Sequence, residues 1–242
     1  MKIGEITYDG KSSKSFGLIV AGSGTFDPAE ADMTYYTVPG RDGDIALYNN
    51  RHKNVTVTYP AFLPKGFESK AQDIRRWLTG GYASDNTYKK LSDNFDTSHF
   101  RMAIPKGMKF VPVNQNDAAN MQLIFECKPQ RFLTVGETAT TYSSGSTITN
   151  PTAYGKYPAK PLVKLTNPVN GCTIKIASKT MTCLSSYTGS VTIDCETKNI
   201  YAYNGASLNH LFTGDFFELG STSAITLTSI SQITITPRWW EL

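Results

Sequence analysis

The sequence is poor in residues that bind metals or form disulfides, with four cysteines and three histidines among 242 residues. The cysteines are Cys127, Cys172, Cys183 and Cys195, and no two of them form a CxxC pair. Because a structural zinc site needs ligands clustered at short spacing, we expect no metal, and nothing indicates another cofactor. We expect the cysteines to be free, partly buried thiols in a reducing cytoplasm.

Long apolar runs and a strong net charge are also missing. The chain opens Met1-Lys2-Ile3-Gly4-Glu5 without an apolar segment, so we expect neither a signal peptide nor membrane insertion. The net charge of +4 is too mild for the dense basic stripe of a nucleic-acid-binding protein. With 40% hydrophobic, 18% charged and 12% aromatic residues, the composition is that of a globular chain.

The sequence lacks catalytic motifs: no P-loop, HExxH or GxSxG is present. Gly22-Ser23-Gly24 begins like a dinucleotide fingerprint, but Asp27 occupies the third glycine position. Arg41-Asp42-Gly43-Asp44 lacks the further ligands of a calcium loop and indicates a turn stabilised by aspartates. Asp194 and Glu196 alternate with apolar residues, which places both on the solvent-facing side of a strand rather than across a cleft. We therefore expect no enzyme.

Alternation of apolar and polar residues dominates the chain and predicts β-strands. In the segment 53–59, Val55, Val57 and Tyr59 share one face and threonines lie on the other. The same rhythm recurs in Phe100-Met102-Ile104, Met121-Leu123-Phe125-Cys127, Cys172-Ile174-Ile176, Val191-Ile193-Cys195, Ile225-Leu227 and Ile233-Ile235. Short strands without alternating helices predict an antiparallel sandwich rather than a parallel α/β fold.

One segment has helical spacing, and we expect a helix near 67–79 that ends at Gly80-Gly81. Residues 1–136 hold 31 of the 44 charged side chains, and the polar stretch 136–146 follows them. We therefore place a domain boundary near 135–140. The N-terminal domain, 1–136, then contains sheet and the helix, and the C-terminal domain, 137–242, contains sheet only.

Large aromatic residues provide candidate binding positions. Trp239 and Trp240 follow a β-patterned run at the end of the sequence, where we do not expect two such side chains to remain in water. Either they pack in the core at a sandwich edge or they contact another subunit. Tyr201 and Tyr203 alternate with apolar residues, an arrangement that suits either a sugar or a protein contact.

Together, several stretches resemble the distal tail protein (Dit) family of long, non-contractile-tailed bacteriophages that infect Gram-positive bacteria. In the first half they are Val38-Pro39-Gly40-Arg41-Asp42-Gly43, Ile74-Arg75-Arg76-Trp77-Leu78, Tyr88-Lys89-Lys90-Leu91-Ser92-Asp93 and the segment 123–132. In the second half they are Asn150-Pro151-Thr152, Pro161-Leu162-Val163-Lys164-Leu165, Ile193-Asp194-Cys195, Phe216-Phe217-Glu218-Leu219-Gly220 and Pro237-Arg238-Trp239-Trp240. Leu219-Gly220 lacks the proline that family members often carry between those two positions.

The resemblance implies a mainly β subunit of two domains. The N-terminal domain is an expected β-sandwich with one helix and an extended hairpin, and the C-terminal domain is an expected galectin-like β-sandwich. Six copies would close into a hexameric ring around a channel for DNA, as the structural hub of the tail tip or baseplate. The ring would join the tail-tube protein to the tail-tip protein, and in many phages it also anchors receptor-binding proteins. The expected location is the distal end of the virion tail, after assembly in the host cytoplasm.

A ring subunit uses two different contact surfaces, because each copy binds its neighbours head to tail. Tryptophan and arginine are enriched where interfaces gain their energy, so the candidate interface residues are Arg75, Trp77, Arg238, Trp239 and Trp240. A strongly basic channel would retain DNA, and the near-neutral charge avoids this. We expect no sequence-specific binding of nucleic acid.

Two other functions compete with the structural hub. The C-terminal sandwich could be a host-surface carbohydrate-binding module, with Tyr201 and Tyr203 as contacts and Asn199 and Asn204 nearby. A cell-wall hydrolase is the third possibility, and no residue pattern favours it.

Overall fold

The computed structural model describes residues 4–22, 26–85, 87–113, 117–152 and 157–242. The chain divides into two compact units, one comprising Met1–Arg131 and Leu242 and the other Phe132–Glu241. The division falls near the end of a long strand, a few residues before the polar segment in which the sequence predicted it. Among the described residues, no helix has both the length and the hydropathy needed to cross a membrane.

The first unit consists mostly of strands. Its elements are β1 (Ile6–Tyr8), β2 (Lys11–Ser12), β3 (Ile19–Val20), β4 (Ala31–Tyr36), β5 (Ile45–His52), β6 (Val55–Leu63), α1 (Phe67–Asp85), β7 (Lys89–Asp93), β8 (His99–Val113) and β9 (Ala118–Leu133), with a 3-10 turn at Ser13–Phe16. Strands β4 and β5 pair only with each other, as a separate two-stranded hairpin. The other seven strands of this unit lie side by side in the order β2-β1-β7-β8-β9-β6-β3.

This row of strands closes on itself through one backbone pairing. Gly4, just before β1, donates to the Val20 carbonyl at 3.0 Å and accepts from the Val20 amide at 3.2 Å. Because β3 lies at the edge of the strand order, this bridge joins two distant parts of the sheet. The curled sheet encloses a core whose largest fully buried side chains include Tyr8, Tyr59 and Phe125.

Helix α1 covers this core with a narrow apolar face. Ile74, Trp77 and Leu78 are buried, while the residues between them are exposed. The helix continues through Gly80 to Asp85, so the predicted end at 79 is wrong. The physical reason is that glycine costs a helix only about 1 kcal/mol relative to alanine and does not forbid helical backbone.

The second unit is a sandwich of two five-stranded sheets. Its strands are β10 (Thr140–Ser143), β11 (Thr147–Thr149), β12 (Leu162–Thr166), β13 (Thr173–Ile176), β14 (Lys179–Cys183), β15 (Ser190–Asp194), β16 (Asn199–Ala202), β17 (Phe212–Gly214), β18 (Thr222–Thr228), β19 (Gln232–Thr236) and β20 (Trp240–Glu241), with 3-10 turns at Thr134–Glu137 and Asn209–Leu211. The sheet orders are β10-β19-β12-β15-β16 and β11-β18-β13-β14-β17, and the short strand β20 belongs to neither. Inward residues of both sheets, such as Ile174 and Ile193, form one core.

The predicted fold class is confirmed: the chain is mainly β, with antiparallel pairing, a hairpin and a C-terminal sandwich. Strand β6 buries Val55, Val57 and Tyr59, as its alternation predicts, and β9 buries its own predicted set. The likeness of the second unit to galectins stays a prediction.

Strand β8 departs from its predicted alternation. The positions 100, 102 and 104 were expected to face the core, but Arg101 and Ala103 are more deeply buried than Met102 and Ile104. A buried arginine is possible here because backbone carbonyls accept its hydrogen bonds.

The closing bridge leads to a stability prediction for Gly4→Ala. A β-carbon at this position would lie 2.3 Å from the Val20 carbonyl oxygen and 2.2 Å from a ring carbon of Phe95. We expect the free energy of unfolding to fall by about 2 kcal/mol or more, measured by urea unfolding.

Gly107→Ala is the matched control, because Gly107 lies in β8 with nothing within 4 Å of an added β-carbon. It should leave the unfolding midpoint nearly unchanged. Equal midpoints for the two variants would show that the bridge does not require glycine.

Candidate interaction surfaces

The predicted interface tryptophan of the helix lies inside the first unit. Trp77 is only 5% exposed, stacks on Phe16 with ring centroids 5.0 Å apart, and donates its indole N–H to the Tyr8 carbonyl at 3.1 Å. Arg75 lies on the exposed side of the same helix. The contacts of Trp77 therefore hold α1 on its own sheet, and Arg75 is the member of this pair that solvent reaches.

The two C-terminal tryptophans have different environments. Trp239 is 3% exposed and belongs to the core of the sandwich. The Leu133 amide donates to its carbonyl at 2.9 Å. Trp240 is half-buried, stacks on Tyr157 at 4.7 Å and donates its indole N–H to the Pro158 carbonyl at 3.2 Å. Core packing at the sandwich edge, one of the two alternatives above, therefore describes Trp239.

Arg238, which lies between β19 and β20, binds the last residue of β15. Its guanidinium donates to Asp194 at 2.7 Å, and Asp194 also accepts the Glu196 amide at 3.0 Å. Burial raises the pKa of the Asp194 carboxyl, but the hydrogen bond and charge of Arg238 outweigh it and hold that pKa below its usual value. The expectation that Asp194 and Glu196 both face solvent is wrong for Asp194, which is buried because it has these partners.

The candidate sugar contacts also differ from each other. Tyr203 is 96% exposed, whereas Tyr201 is half-buried and bridges to Ser207. The neighbouring amide of Asn204 accepts the Ala206 backbone N–H at 3.1 Å, and so it stabilises its own turn. Among these residues, Tyr203 alone presents a whole ring to solvent.

The hairpin of β4 and β5, residues 31–52, is the extended hairpin that the resemblance implied, and we call it the arm. No residue of the arm is buried. Its turn is ordered by the Thr37 hydroxyl, which donates to the Asp44 carboxylate at 2.9 Å, and by positive φ at Gly40 and Gly43. Of the two aspartates expected to stabilise the turn at 41–44, Asp44 has this role through Thr37.

Both faces of the arm carry apolar side chains. On one face Tyr35 lies opposite Ala46, and Met33 lies opposite Tyr48. On the other face Tyr36 lies opposite Ile45, and Leu47 lies opposite Thr34. Tyr35, Tyr36, Ile45, Leu47 and Tyr48 are all exposed. The sequence already indicated two apolar faces, because the adjacent Tyr35 and Tyr36 must point to opposite faces of a strand.

The segment before the arm is held by two arginines of the sheet. Buried Arg101 of β8 donates to the Asp27 carbonyl at 2.8 Å and to the Pro129 carbonyl at 3.3 Å. The Arg131 guanidinium lies 5.7 Å from the centre of the Phe26 ring. These contacts fix the place where the chain leaves the sheet to enter the arm.

Arg131 also binds Asp96, beside Ser98 and His99, but these four residues do not form a hydrolytic triad. Ser98 Oγ and Asp96 Oδ2 approach the same nitrogen, His99 Nδ1, at 3.0 and 2.8 Å. A triad needs the serine and the carboxylate on different ring nitrogens. In the part of the chain that the structure describes, no three His, Cys, Asp or Glu side chains cluster to hold a metal.

The fold is similar to that of a phage distal tail protein and to that of a phage baseplate chain. Over 100% of both chains, it is similar to the crystal structure of phage SPP1 Dit (gp 19.1), described as a paradigm of the hub adsorption apparatus in phages infecting Gram-positive bacteria, with a TM-score of 0.65 and 14% identity. It is also similar to a chain of the phage p2 baseplate in its activated, strontium-containing conformation, over 96% of this chain and 97% of that chain, with a TM-score of 0.52 and 9% identity. The sequence matches no family model and no curated protein. At these identities the likeness concerns the fold, and at that level the resemblance inferred from the motifs is confirmed.

The Asp194–Arg238 pair leads to a prediction about pH. A depressed pKa stabilises the fold at pH values above the unfolded pKa, and this contribution is lost as the pH falls through the lower, folded value. Asp194→Asn should therefore lower the free energy of unfolding at pH 7 by about 2 kcal/mol. The difference from wild type should shrink below about pH 4, measured by urea unfolding across the pH range.

Asp215→Asn is the control, because the Asp215 carboxylate is mostly exposed and lies 3.9 Å from Lys179. It should change stability little at any pH. An Asp194→Asn variant as stable as wild type at pH 7 would contradict the assigned role of the pair.

Proposed function

We propose that this chain is a non-enzymatic structural hub of a phage tail tip or baseplate, assembled as a hexameric ring. The observation that carries the proposal is similarity of the whole chain to SPP1 Dit, covering both chains completely. The second similarity, to a chain of a phage baseplate, supports the same kind of role. In this proposal the protein joins the tail-tube protein to the tail-tip protein at the distal end of the virion tail and anchors receptor-binding proteins. Assembly takes place in the host cytoplasm.

The arm supports the ring because the described residues of the first unit leave both of its apolar faces exposed. A two-stranded hairpin is marginally stable in water, and exposed apolar patches mark contact surfaces. A neighbouring copy that packs against the arm would remove Tyr36, Ile45 and Leu47 from water. The arm is thus one of the two different surfaces that a closed ring requires.

The second surface in this proposal lies on the outside of the curled sheet. Ile19 of β3 and Phe62 of β6 are directly opposite each other in the sheet, and both are exposed. Such a cross-strand pair offers an apolar patch that an aromatic side chain of the arm can cover. Among the residues first expected at the interface, exposed Arg75 and half-buried Trp240 keep accessible surface, while Trp77 and Trp239 act by supporting the fold.

The channel of the ring would conduct DNA without binding its sequence. The net charge of +4 provides little attraction for phosphates. A dense array of lysine and arginine would instead slow the passage of DNA, since each phosphate contact adds salt-dependent affinity.

Leu47→Ser tests the arm as a ring contact. If Leu47 is buried between copies, its replacement by a polar residue should raise the concentration at which half of the protein is assembled by about tenfold or more. Light scattering coupled to size exclusion measures this, with Phe62→Ser expected to act in the same direction.

Leu184→Ser is a closely matched control, because Leu184 is 52% exposed and Leu47 is 53% exposed. Leu184 lies outside both surfaces and its variant should assemble like wild type. A wild-type protein that stays monomeric at high concentration, even with its tail partners, would refute the ring.

A second candidate function, a carbohydrate-binding module in the second unit, is favoured by the isolated exposure of the Tyr203 ring. Sugars stack on such rings. If this function holds, the full chain should bind a glycan array or host cell wall saturably, and Tyr203→Ala should abolish the binding. Tyr35→Ala, which removes another exposed ring, should leave it intact. Absence of saturable binding by wild type would remove this candidate.

A further inference from the structure

Two of the four cysteines lie directly opposite each other in the second unit. In the antiparallel pair of β13 and β14, Thr173 is opposite Thr182, so the preceding residue, Cys172, is opposite Cys183. The Cys183 amide donates to the Cys172 carbonyl at 2.9 Å, and the Cys183 carbonyl accepts from the Gly171 amide at 2.8 Å. Gly171, with a positive φ, and Cys172 therefore form a β-bulge opposite Cys183. The sequence positions, eleven residues apart and without a CxxC motif, gave no sign of this pairing.

Both thiols point to the same side of the sheet. Cys172 and Cys183 are buried in the sandwich core, as are Ile174 and Met181, the next opposed pair on that face. After burial, the neighbouring Cys183 thiol is the next largest cause of the raised pKa of the Cys172 thiol. No such cysteine neighbour acts on Cys127 or Cys195. All four cysteines are free in this structure.

The backbone spacing of this pair suits a disulfide. Directly opposed residues of an antiparallel pair have α-carbons about 4.5 to 5.5 Å apart, within the span of about 4.4 to 6.8 Å that disulfides bridge. A disulfide can therefore form between opposed residues of such a pair. The thiol proton of Cys183, which is donated to the Ser185 carbonyl at 3.0 Å, would leave in the process.

We propose that Cys172 and Cys183 are an oxidation site that forms an intrachain disulfide on exposure to a low-molecular-weight disulfide such as oxidised glutathione. One protein thiolate attacks the small disulfide, forms a mixed disulfide and releases one small thiol. The second protein thiolate then attacks the mixed disulfide at the protein sulfur and releases the other small thiol. Two protein thiols are oxidised and one small disulfide is reduced to two thiols, so atoms and electrons balance.

The site reacts slowly because it is buried. Burial raises the pKa of the Cys172 thiol to about 11, so few thiolates are present at neutral pH. The small disulfide can reach the site from the open end of the β13–β14 hairpin, opposite its turn. There Cys183 is the last residue of β14, and exposed Leu184 follows it. The bond would tie β13 to β14 and add a covalent link to a sheet that otherwise depends on hydrogen bonds and core packing.

The test uses the full-length protein and oxidised glutathione near the ordinary thiol pKa of about 8.5. After oxidation, unreacted thiols are alkylated in denaturant, the protein is digested with trypsin, and the peptides are analysed by mass spectrometry. We expect the segment 165–175, which holds Cys172, linked to 180–198 through Cys183, with two of the four thiols lost. Because Cys195 lies in the same tryptic peptide as Cys183, fragmentation of the linked peptide assigns the partner.

Cys172→Ala should abolish the linked peptide, and Cys127→Ala, which removes another buried thiol, should leave it unchanged. The oxidised wild-type protein should also unfold at a higher temperature than its reduced form, a difference that the Cys172→Ala variant lacks. Four thiols remaining after prolonged oxidation would overturn the proposal, as would stable glutathione adducts alone or a link to Cys195. None of these readouts depends on ring assembly, so this proposal and the proposed function fail separately.

Discussion

A β-ribbon of two strands has two faces and no third layer to cover either of them. In the arm, Tyr35 and Tyr36 are neighbours in sequence and point to opposite faces, so each face has an apolar ring in water. A sheet elsewhere in this chain solves the same problem by curling or by packing on a second sheet. The described residues of its unit give the arm neither solution, and its apolar faces stay available for the contact between copies that we propose.

This constraint explains why several hydrogen bonds fix the segment that leads into the arm. Arg101 is buried in the sheet, where an unpaired charge would be costly, and backbone carbonyls of two segments accept its hydrogen bonds. One of them belongs to Asp27, shortly before the arm begins. A protruding ribbon can bind a partner reproducibly only if its base has one orientation, and the buried guanidinium provides that orientation.

The sequence pattern predicted the strands well and the tertiary partners poorly. Alternation in β6 and β9 identified the buried residues, because a half-buried strand repeats every two residues. The same rule misplaced Arg101 and Asp194, whose burial depends on partners 74 and 44 residues away in sequence. The sequence pattern likewise does not distinguish a tryptophan that packs its own helix on the sheet, as Trp77 does, from one that contacts a neighbouring subunit. The apolar spacing predicted the helix correctly, but the helix continues through Gly80-Gly81, where the sequence predicted its end.

One sheet face of the second unit shows the opposite surface chemistry to the arm. Thr213, Thr182, Thr173 and Thr228 lie side by side in one row across four strands of a sheet. Threonine has the branched β-carbon that suits a strand, yet its hydroxyl keeps the face hydrated and its side chain carries no charge. A sheet surface of this kind is stable without being adhesive. Since the arm combines exposure with apolar character and this threonine row does not, self-association is expected to depend on the first unit, whatever the second unit binds.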